Sequence, residues 1–292
     1  MLSYIKQAAI IVSVLVCVGF TAAPCVGEGT DLVIKNIVYK SRKRLSGYER
    51  ERCVLDLYLP ESKKDCPVVV WFHGGGLEGG SKDDAAAIGE FFAENGVAAA
   101  VASYRLSPKA KYPAYVDDAA ASVAWTIKHI AEYGIDPACP VFISGHSAGG
   151  YLAAIVGMNS KYLKKYGVDL KRIAGVIPVS GQVFTHFTIR KERRIPDPQN
   201  TPTIDDAAPC YYVRKNIPPV LAICGDNDWP ARAEENRYFV AMLKTVGHTD
   251  AIYREFANRD HGTIVGKIPE ANDPVGKAIL GFISGRKTTS NK

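Results

Sequence analysis

A serine flanked by glycines is the first group in this 292-residue sequence that could do chemistry. Residues 145–149 read GHSAG, and Ser147 lies between a buried-strand pattern at 141–144 and a helix pattern at 147–158. A sharp strand-to-helix turn of this kind exposes the serine hydroxyl as a nucleophile, and the flanking glycines let neighbouring backbone approach. Because chance alone gives roughly 0.1 such matches in a chain of this composition, the pentapeptide by itself indicates a nucleophile only weakly.

A glycine-rich turn earlier in the chain supports the same chemistry. Residues 73–76 read HGGG and follow the continuous apolar run of 67–73, which is typical of a strand buried on both faces. Acyl transfer needs backbone N–H groups that point at the oxyanion formed on attack, and glycines let the backbone come close enough to provide them. Chance matches to this tetrapeptide number below about 0.01 per chain, so the two motifs together predict acyl transfer.

The serine also needs a base and an acid, and their order along the chain narrows the candidates. In a sheet of this kind the acid follows the serine, and the histidine follows the acid. His261 lies in a loop just after the last strand pattern and is favoured as the base over His248, which closes a helix beside a glycine. Asp226 and Asp228 both follow the strand pattern at 219–224, and we favour Asp228 with Asp226 as the main alternative.

Buried strands that alternate with helices must position these groups. Strand patterns occur at 31–40, 52–59, 67–73, 97–104, 141–144, 173–179, 219–224 and 251–256. Helix patterns occur at 85–95, 117–133, 147–158, 231–246 and 274–284. This alternation predicts an α/β fold with a mostly parallel central sheet and helices on both faces. We expect one domain over residues 28–292, in which the segment 182–209 is either a lid or substrate loop or an ordinary surface excursion.

The first residues have the pattern of a secretory signal peptide. Lys6 precedes an apolar run at 8–20 and the small residues of 21–23. The run is shorter than the roughly 20 residues of a transmembrane helix, so we expect no stable membrane insertion, with an uncleaved anchor as the alternative. The prediction is a signal peptide over 1–27, cleaved between about residues 23 and 29, and therefore a secreted or periplasmic protein.

The charge distribution and the cysteine spacing give no indication of a nucleic-acid or metal partner. The formal net charge of +6 is spread out, and its densest basic clusters, 42–44 and 190–194, are predicted to be solvated loops rather than a nucleic-acid surface. The seven cysteines include no CxxC pair and the sequence has no HExxH motif, so we expect no metal site. Serine, histidine and aspartate chemistry needs no cofactor.

Several motifs in one order resemble a known family. HGGG is followed by YRLSP at 104–108, PA at 113–114 and GHSAGG at 145–150, as in the hormone-sensitive-lipase-like esterases of the α/β-hydrolase superfamily. The secreted acetyl- and feruloyl-esterase (BD-FAE-like) branch is the most similar part, and the likeness covers about residues 50–265. The resemblance implies the α/β-hydrolase fold, with Asp228 as the acid. It also implies that the oxyanion N–H groups belong to Gly75, Gly76 and Ala148.

Two positions depart from that family, and both concern the substrate pocket. Leu77 stands where many relatives carry an aromatic residue, and His146 replaces the acidic residue that is frequent before the serine. Trp229, beside the acid, either supplies the missing aromatic wall or packs in the core. The preferred substrate therefore stays open on sequence grounds.

Two cysteines begin two of the buried strands at equal distances from the motifs. Cys66 lies seven residues before His73, and Cys139 lies seven residues before His146. The resemblance implies that these strands are neighbours, and neighbouring strands are about 4.8 Å apart, within reach of a disulfide. We expect either a Cys66–Cys139 disulfide at the edge of the sheet away from the active serine or two unpaired thiols.

Ester hydrolysis is the function that these features favour, and the resemblance implies short-chain or carbohydrate-linked (acetyl or feruloyl) esters. A peptidase or amidase with the same groups is the first alternative, but relatives that cleave peptides usually carry an added gating domain. A non-catalytic binding protein of the same fold is the second, and such proteins generally lose the serine or histidine that this chain keeps. The expected partner is thus a small-molecule or carbohydrate ester.

Overall fold

The computed structural model describes residues 32–40 and 45–286, and the predicted signal peptide lies outside them. One sheet contains the strands β1 (Leu32–Val38), β2 (Val54–Leu59), β3 (Val68–Phe72), β4 (Ala98–Ala102), β5 (Val141–His146), β6 (Ile173–Val179), β7 (Val220–Asn227) and β8 (Ala251–Asp260). Their order across the sheet is β1-β2-β4-β3-β5-β6-β7-β8. β2 is antiparallel to β1 and to β4, and from β4 onward neighbouring strands are parallel.

Helices connect the parallel strands and cover the sheet. They are α1 (Gly47–Arg52), α2 (Ala86–Glu94), α3 (Ala114–His129), α4 (Ala148–Met158), α5 (Ser160–Lys164), α6 (Phe187–Glu192), α7 (Arg232–Thr245), α8 (Thr263–Gly266) and α9 (Pro274–Ser284). The long helices match the predicted patterns. The sequence did not predict α1, α5, α6 and α8, because helices of four to six residues are too short to show a hydrophobic period. None of the helices in the described part of the chain is long and apolar enough to cross a membrane.

The middle strands are buried on both faces, which explains why their sequences do not alternate. In β3, Val70 and Phe72 pack on one face with residues of α3 and α4, whereas Val69 and Trp71 pack on the other face with residues of α2 and α9. Successive side chains of a strand point to opposite faces, so a strand covered on both sides needs apolar residues throughout. The predicted α/β fold with a mostly parallel sheet is confirmed.

The carboxyl ends of the parallel strands lie at one edge of the sheet, and this edge carries the motifs. β3 ends directly before HGGG, and β5 ends directly before Ser147. β7 and β8 end next to Asp228 and His261. Groups that are far apart in sequence are thereby brought to the same edge, where open α/β sheets commonly bind their ligands.

Of the two alternatives for Cys66 and Cys139, the structure contains no disulfide between them. The strands that follow the two cysteines are neighbours, with Val68 opposite Val141, but Cys66 and Cys139 are not bonded to each other. The sulfur of Cys66 accepts a hydrogen bond, 3.2 Å long, from the N–H of Ala98. Ala98 is the first residue of β4, which lies on the opposite side of β3 from β5. Cys139 is a buried thiol, and burial raises its pKa to about 11.

The basic cluster at 190–194 differs from its prediction in part, while the cluster at 42–44 lies outside the described residues. Arg190 belongs to α6, and its side chain is buried and donates to main-chain carbonyls of the segment 182–209. Lys191, Arg193 and Arg194 are exposed, although Arg193 forms ion pairs with two aspartates of the same segment. The cluster is thus mostly solvated, but it begins on a helix and its first cation is held by acceptors of its own segment.

Candidate active site

Ser147 lies in a sharp turn between β5 and α4. Its φ of 54° and ψ of −116° are strained for a non-glycine residue, as expected for a nucleophile held above a sheet. The turn leaves no room for side chains at the flanking glycines. A Cβ atom would lie 2.6 Å from the carbonyl oxygen of Phe72 if placed at Gly145, and 2.0 Å from it if placed at Gly149. The close packing of the turn against β3 therefore requires both glycines of the motif.

His261 contacts both Ser147 and Asp228. Its Nε2 lies 2.8 Å from the Ser147 Oγ, and its Nδ1 lies 2.7 Å from the Asp228 Oδ1. The Asp228 side chain is only 1% exposed. Burial by itself raises the pKa of this carboxyl, but hydrogen bonds from His261 and from Ser180 outweigh it, so the pKa of Asp228 lies below its ordinary value. The candidate acid is therefore an ionised carboxylate that contacts the imidazole at Nδ1.

The alternatives considered for the acid and the base lie elsewhere. Asp226 is exposed, and its Oδ1 accepts hydrogen bonds from the backbone N–H of Arg259 at 3.1 Å and from the side-chain amide of Asn227 at 2.9 Å. It thus ties the end of β8, just before His261, to the end of β7. The Nδ1 of His248 lies 3.0 Å from a main-chain carbonyl, that of Lys215, at the far end of α7.

Ser180 is a site residue that the sequence analysis missed. Its hydroxyl donates to Oδ2 of Asp228, the oxygen that His261 does not contact. The N–H of Trp229 donates to Oδ1 at 2.7 Å, so both carboxylate oxygens are occupied. The buried Arg232 in turn donates to the Ser180 carbonyl at 2.7 Å. A signal was present in the sequence, since Ser180 directly follows the predicted strand at 173–179, whose end lies at the catalytic edge.

His146 holds the backbone of His261 and also lines a cavity beside the glycine loop. Its Nε2 lies 2.8 Å from the carbonyl oxygen of His261. Burial, together with the nearby His261, lowers the pKa of His146 to about 3, so the ring is neutral at physiological pH. A neutral ring can donate to a carbonyl only from its protonated nitrogen, which identifies Nε2 as the N–H. The residue that replaces the usual acidic side chain therefore makes a hydrogen bond to the loop of the candidate base.

The two other predicted pocket residues lie in different surroundings. Trp229 is 44% exposed, and its indole stacks on the His261 ring with centroids 3.8 Å apart, so it borders the site and does not pack in the core. Leu77 is completely buried and belongs to the core cluster. Its placement in the pocket is corrected, because a left-handed φ of 62° after the glycines turns its side chain inward.

The glycine loop leaves its N–H groups available near Ser147. A Cβ placed at Gly74 would lie 3.6 Å from the Ser147 Cβ, so the loop borders Ser147. Gly75 and Gly76 have φ values of 103° and 64°, and their N–H groups donate to no other residue that the structure describes. Ala148 is the first residue of α4, where backbone N–H groups lack an acceptor within the helix. These three N–H groups are the ones that the family resemblance implies for an oxyanion site.

A cavity of about 240 Å³ adjoins this loop. Its lining includes His73, Gly75, His146 and Val265. Two larger cavities, of about 550 and 650 Å³, lie around Lys171 at the amino ends of the strands, away from the motifs. Of these three cavities, only the smaller one touches the glycine loop, and its lining does not include Ser147, Asp228 or His261. Among the described residues, no three His, Cys, Asp or Glu side chains lie together in a way that could hold a metal ion.

The fold and this arrangement of serine, histidine and aspartate at the strand ends define the protein as an α/β-hydrolase. The model of the BD-FAE family matches residues 55–243, which is more than half of the chain. The chain therefore belongs to the BD-FAE family.

Curated relatives and solved structures agree with this assignment. Esterase LipQ of Mycobacterium tuberculosis is 28% identical over 211 residues, covering 65% of this chain and 49% of that protein. The probable isoprenylcysteine alpha-carbonyl methylesterase ICMEL1 of Arabidopsis thaliana is 36% identical over 221 residues, which cover 68% of this chain and 46% of that protein. The chain spans only about half to three fifths of the length of the curated relatives it matches. The match covers 49% of LipQ, 60% of esterase LipC and 49% of the probable carboxylic ester hydrolase LipM, all of Mycobacterium tuberculosis.

The structural neighbours support the fold. A truncated form of a carbohydrate esterase from gut microbiota has a TM-score of 0.73 at 21% identity, covering 89% of this chain and 98% of that one. Esterase 2 of Thermogutta terrifontis, in a form phosphoramylated by tabun, has a TM-score of 0.65 at 24% identity. The alignment covers 88% of this chain and 93% of that one.

Proposed function

We propose that this protein is a carboxylic ester hydrolase that acts through an acyl-enzyme formed on Ser147. The observation that carries the proposal is the position of His261, which lies within hydrogen-bond distance of both the Ser147 hydroxyl and the Asp228 carboxylate. A nucleophile, a base and an orienting acid in this geometry are the requirements of acyl transfer. The esterase names of the relatives point to the same reaction.

In the first half of the reaction, the Ser147 oxygen attacks the ester carbonyl carbon while Nε2 of His261 takes its proton. Asp228 holds the Nδ1–H of His261 and stabilises the imidazolium that forms. The carbonyl oxygen becomes an oxyanion and accepts hydrogen bonds from the free N–H groups of the glycine loop and of Ala148. Each such donor typically lowers the barrier by about 2.7–4 kcal/mol.

In the second half, the imidazolium of His261 protonates the alkoxide, which leaves as an alcohol, and the acyl group stays on Ser147. Water then attacks the acyl-enzyme as His261 removes its proton. The collapse of the second tetrahedral intermediate releases the acid and restores the hydroxyl. Each proton removed by the imidazole is returned, so the steps balance with the groups of this chain and one water molecule per ester.

Short-chain or carbohydrate-linked esters, acetyl or feruloyl, are the proposed substrates. The ring of Phe187 lies only 3.0 Å from the position of a Cβ at Gly76, which restricts the space beside the glycine loop. The exposed face of Trp229 next to His261 offers a surface on which a flat ring of the substrate can stack. The BD-FAE family and the carbohydrate esterase among the structural neighbours support the same substrate class.

The test is hydrolysis of a short-chain nitrophenyl ester by wild type, Ser147→Ala and Ser144→Ala. Ser144 is a matched control, since its buried hydroxyl donates to the Ile177 carbonyl and not to the site. We expect Ser147→Ala to lose turnover and labelling by a fluorophosphonate while both variants keep the wild-type fold by circular dichroism. Substantial turnover by Ser147→Ala would refute the proposal. A panel of acetylated sugars, feruloyl esters and amides then separates the substrate classes, and preferential amide cleavage would favour the amidase alternative.

Export is proposed on the sequence pattern of residues 1–27. Expression of the full chain in a bacterial host, followed by amino-terminal sequencing of the mature protein, tests it. A new terminus between about residues 23 and 29 supports cleavage by a signal peptidase, and an intact Met1 contradicts it.

A further inference from the structure

The glycine loop requires restraints because glycine has little conformational preference of its own. Each main-chain carbonyl of HGGG has its own hydrogen-bonding contact. The Tyr104 hydroxyl donates to the His73 carbonyl at 2.8 Å, and Nδ1 of His73 lies 2.7 Å from the Gly74 carbonyl oxygen. The Gly75 carbonyl accepts from the N–H groups of two residues that follow in the same loop, at 3.0 and 2.9 Å. These restraints come from the loop itself and from the residues just after β4.

The last carbonyl of the loop, that of Gly76, is held from a different part of the chain. The hydroxyl of Thr188 in α6 donates to it, across 112 residues of sequence. Thr188 is completely buried, so water does not compete for this bond. The ring of the preceding residue, Phe187, packs against Gly76. The segment 182–209 therefore lies directly on the loop.

The helix α6 is itself firmly attached. The carboxylate of Glu192 accepts hydrogen bonds from the Ser107 hydroxyl at 2.7 Å and from the Tyr112 N–H at 2.9 Å. Lys191 forms an ion pair, 2.9 Å long, with Glu78. Besides the Thr188 hydrogen bond, this pair also connects α6 to the glycine loop and the residues after it. The helix thus holds Thr188 in place relative to the glycine loop.

We propose that Thr188 is a positioning residue for the oxyanion site, an inference that rests on the proposed ester hydrolysis. A peptide unit is planar, so a held carbonyl also sets the direction of the N–H on its other side. The peptide before Gly76 is held through the Gly75 carbonyl, and the peptide after it is held through Thr188. With both peptides held, Gly76 cannot rotate, and its N–H keeps its direction toward the oxyanion.

Loss of the Thr188 hydroxyl should therefore weaken an interaction that matters most in the transition state. The oxyanion carries its full charge only after attack, so a misdirected N–H affects turnover more than substrate binding. Thr188→Val keeps the shape of the side chain and removes the hydroxyl. We expect kcat to fall by about 10-fold or more, and KM for a short-chain nitrophenyl ester to change by less than about twofold.

Two further variants distinguish positioning from a general loss of stability. Thr188→Ser keeps the hydroxyl and should recover most of kcat. Thr185→Val is the matched control, because the Thr185 hydroxyl is also completely buried in the same segment but donates to Asp205 at 2.7 Å and not to the loop. It should keep a kcat close to that of wild type. An equal fall of kcat in Thr185→Val, or no fall in Thr188→Val, would overturn the assignment.

Hydrogen exchange gives a readout that does not depend on activity. In Thr188→Val, the amides of residues 73–80 should exchange faster than in wild type, with no such change in Thr185→Val. Unchanged exchange in Thr188→Val contradicts the restraint. If wild type hydrolyses no ester, the proposed function fails, and this comparison still decides whether Thr188 restrains the loop.

Discussion

The indole ring of Trp229 lies nearly parallel to the imidazole ring of His261, with centroids 3.8 Å apart and planes at 16°. One face of the imidazole is therefore covered by an exposed aromatic residue, while its backbone carbonyl is held by His146. These contacts restrict the rotation of the base and keep Nε2 directed at Ser147. The stack also excludes water from one side of the ring.

Removal of this stack should slow turnover moderately. Because an aromatic pair contributes about 0.5–1.5 kcal/mol, we expect Trp229→Ala to lower kcat about two- to tenfold. Tyr238→Ala is the control, since Tyr238 is an exposed aromatic residue of α7 that packs on Phe184 instead. Steady-state hydrolysis of a nitrophenyl ester measures both. Equal kcat values for wild type and Trp229→Ala would show that the stack does not assist the base.

The two neighbouring aspartates should differ sharply in their importance for turnover. Asp228→Asn removes the charge that orients His261 and should lower kcat by about 10³- to 10⁴-fold. Asp226→Asn is the matched control, because Asp226 accepts hydrogen bonds from the loop but does not contact His261. We expect it to stay within about threefold of wild type. A larger loss in Asp226→Asn than in Asp228→Asn would reverse the assignment of the acid.

The hydroxyl of Ser180 should keep the pKa of Asp228 low. It stabilises the ionised form of Asp228 and so helps to lower the pKa of that carboxyl. In Ser180→Ala we expect this pKa to rise, and a titration of the Asp228 carboxyl carbon followed by NMR measures the change. Ser144→Ala, which loses a buried hydroxyl outside the site, should leave the pKa of Asp228 as in wild type. An Asp228 pKa that does not rise in Ser180→Ala would exclude this role.

Two helical glycines should respond oppositely to alanine. A Cβ at Gly149 would lie 2.0 Å from the Phe72 carbonyl oxygen, whereas one at Gly281 meets nothing within 4 Å. Gly149→Ala should lower the free energy of unfolding by about 2 kcal/mol or more, because main-chain atoms of β3 would have to move. Gly281→Ala should raise it by about 0.5–1 kcal/mol through better helix propensity. Chemical denaturation of both variants measures the difference, and a Gly149→Ala protein as stable as wild type would contradict the packing argument.

Local sequence patterns were sufficient for the architecture and for the place of the candidate nucleophile in a strand-to-helix turn. Strands buried on both faces appear as unbroken apolar runs, and glycines mark turns where no side chain fits, as at Gly145 and Gly149. The order of Ser147, an acid and His261 along the chain followed from the order of strand ends at one edge of a parallel sheet. These features depend on neighbouring residues and on strand order, so the sequence by itself determined them.

Only the tertiary structure decided the features that depend on distances between remote residues. Asp226 lies near the end of β7 and Asp228 directly follows it, and no local pattern states which carboxylate faces the imidazole. The Ser180 hydroxyl meets Asp228 across 48 residues of sequence, and the Thr188 hydroxyl meets Gly76 across 112. The sequence did not show the direction of side chains either. Leu77 has a left-handed φ, and its side chain lies in the core. The sulfur of Cys66 accepts a hydrogen bond from the N–H of Ala98 in β4. A hydrogen bond forms only where packing brings its two groups within about 3 Å, and the packing of the whole chain determines that distance.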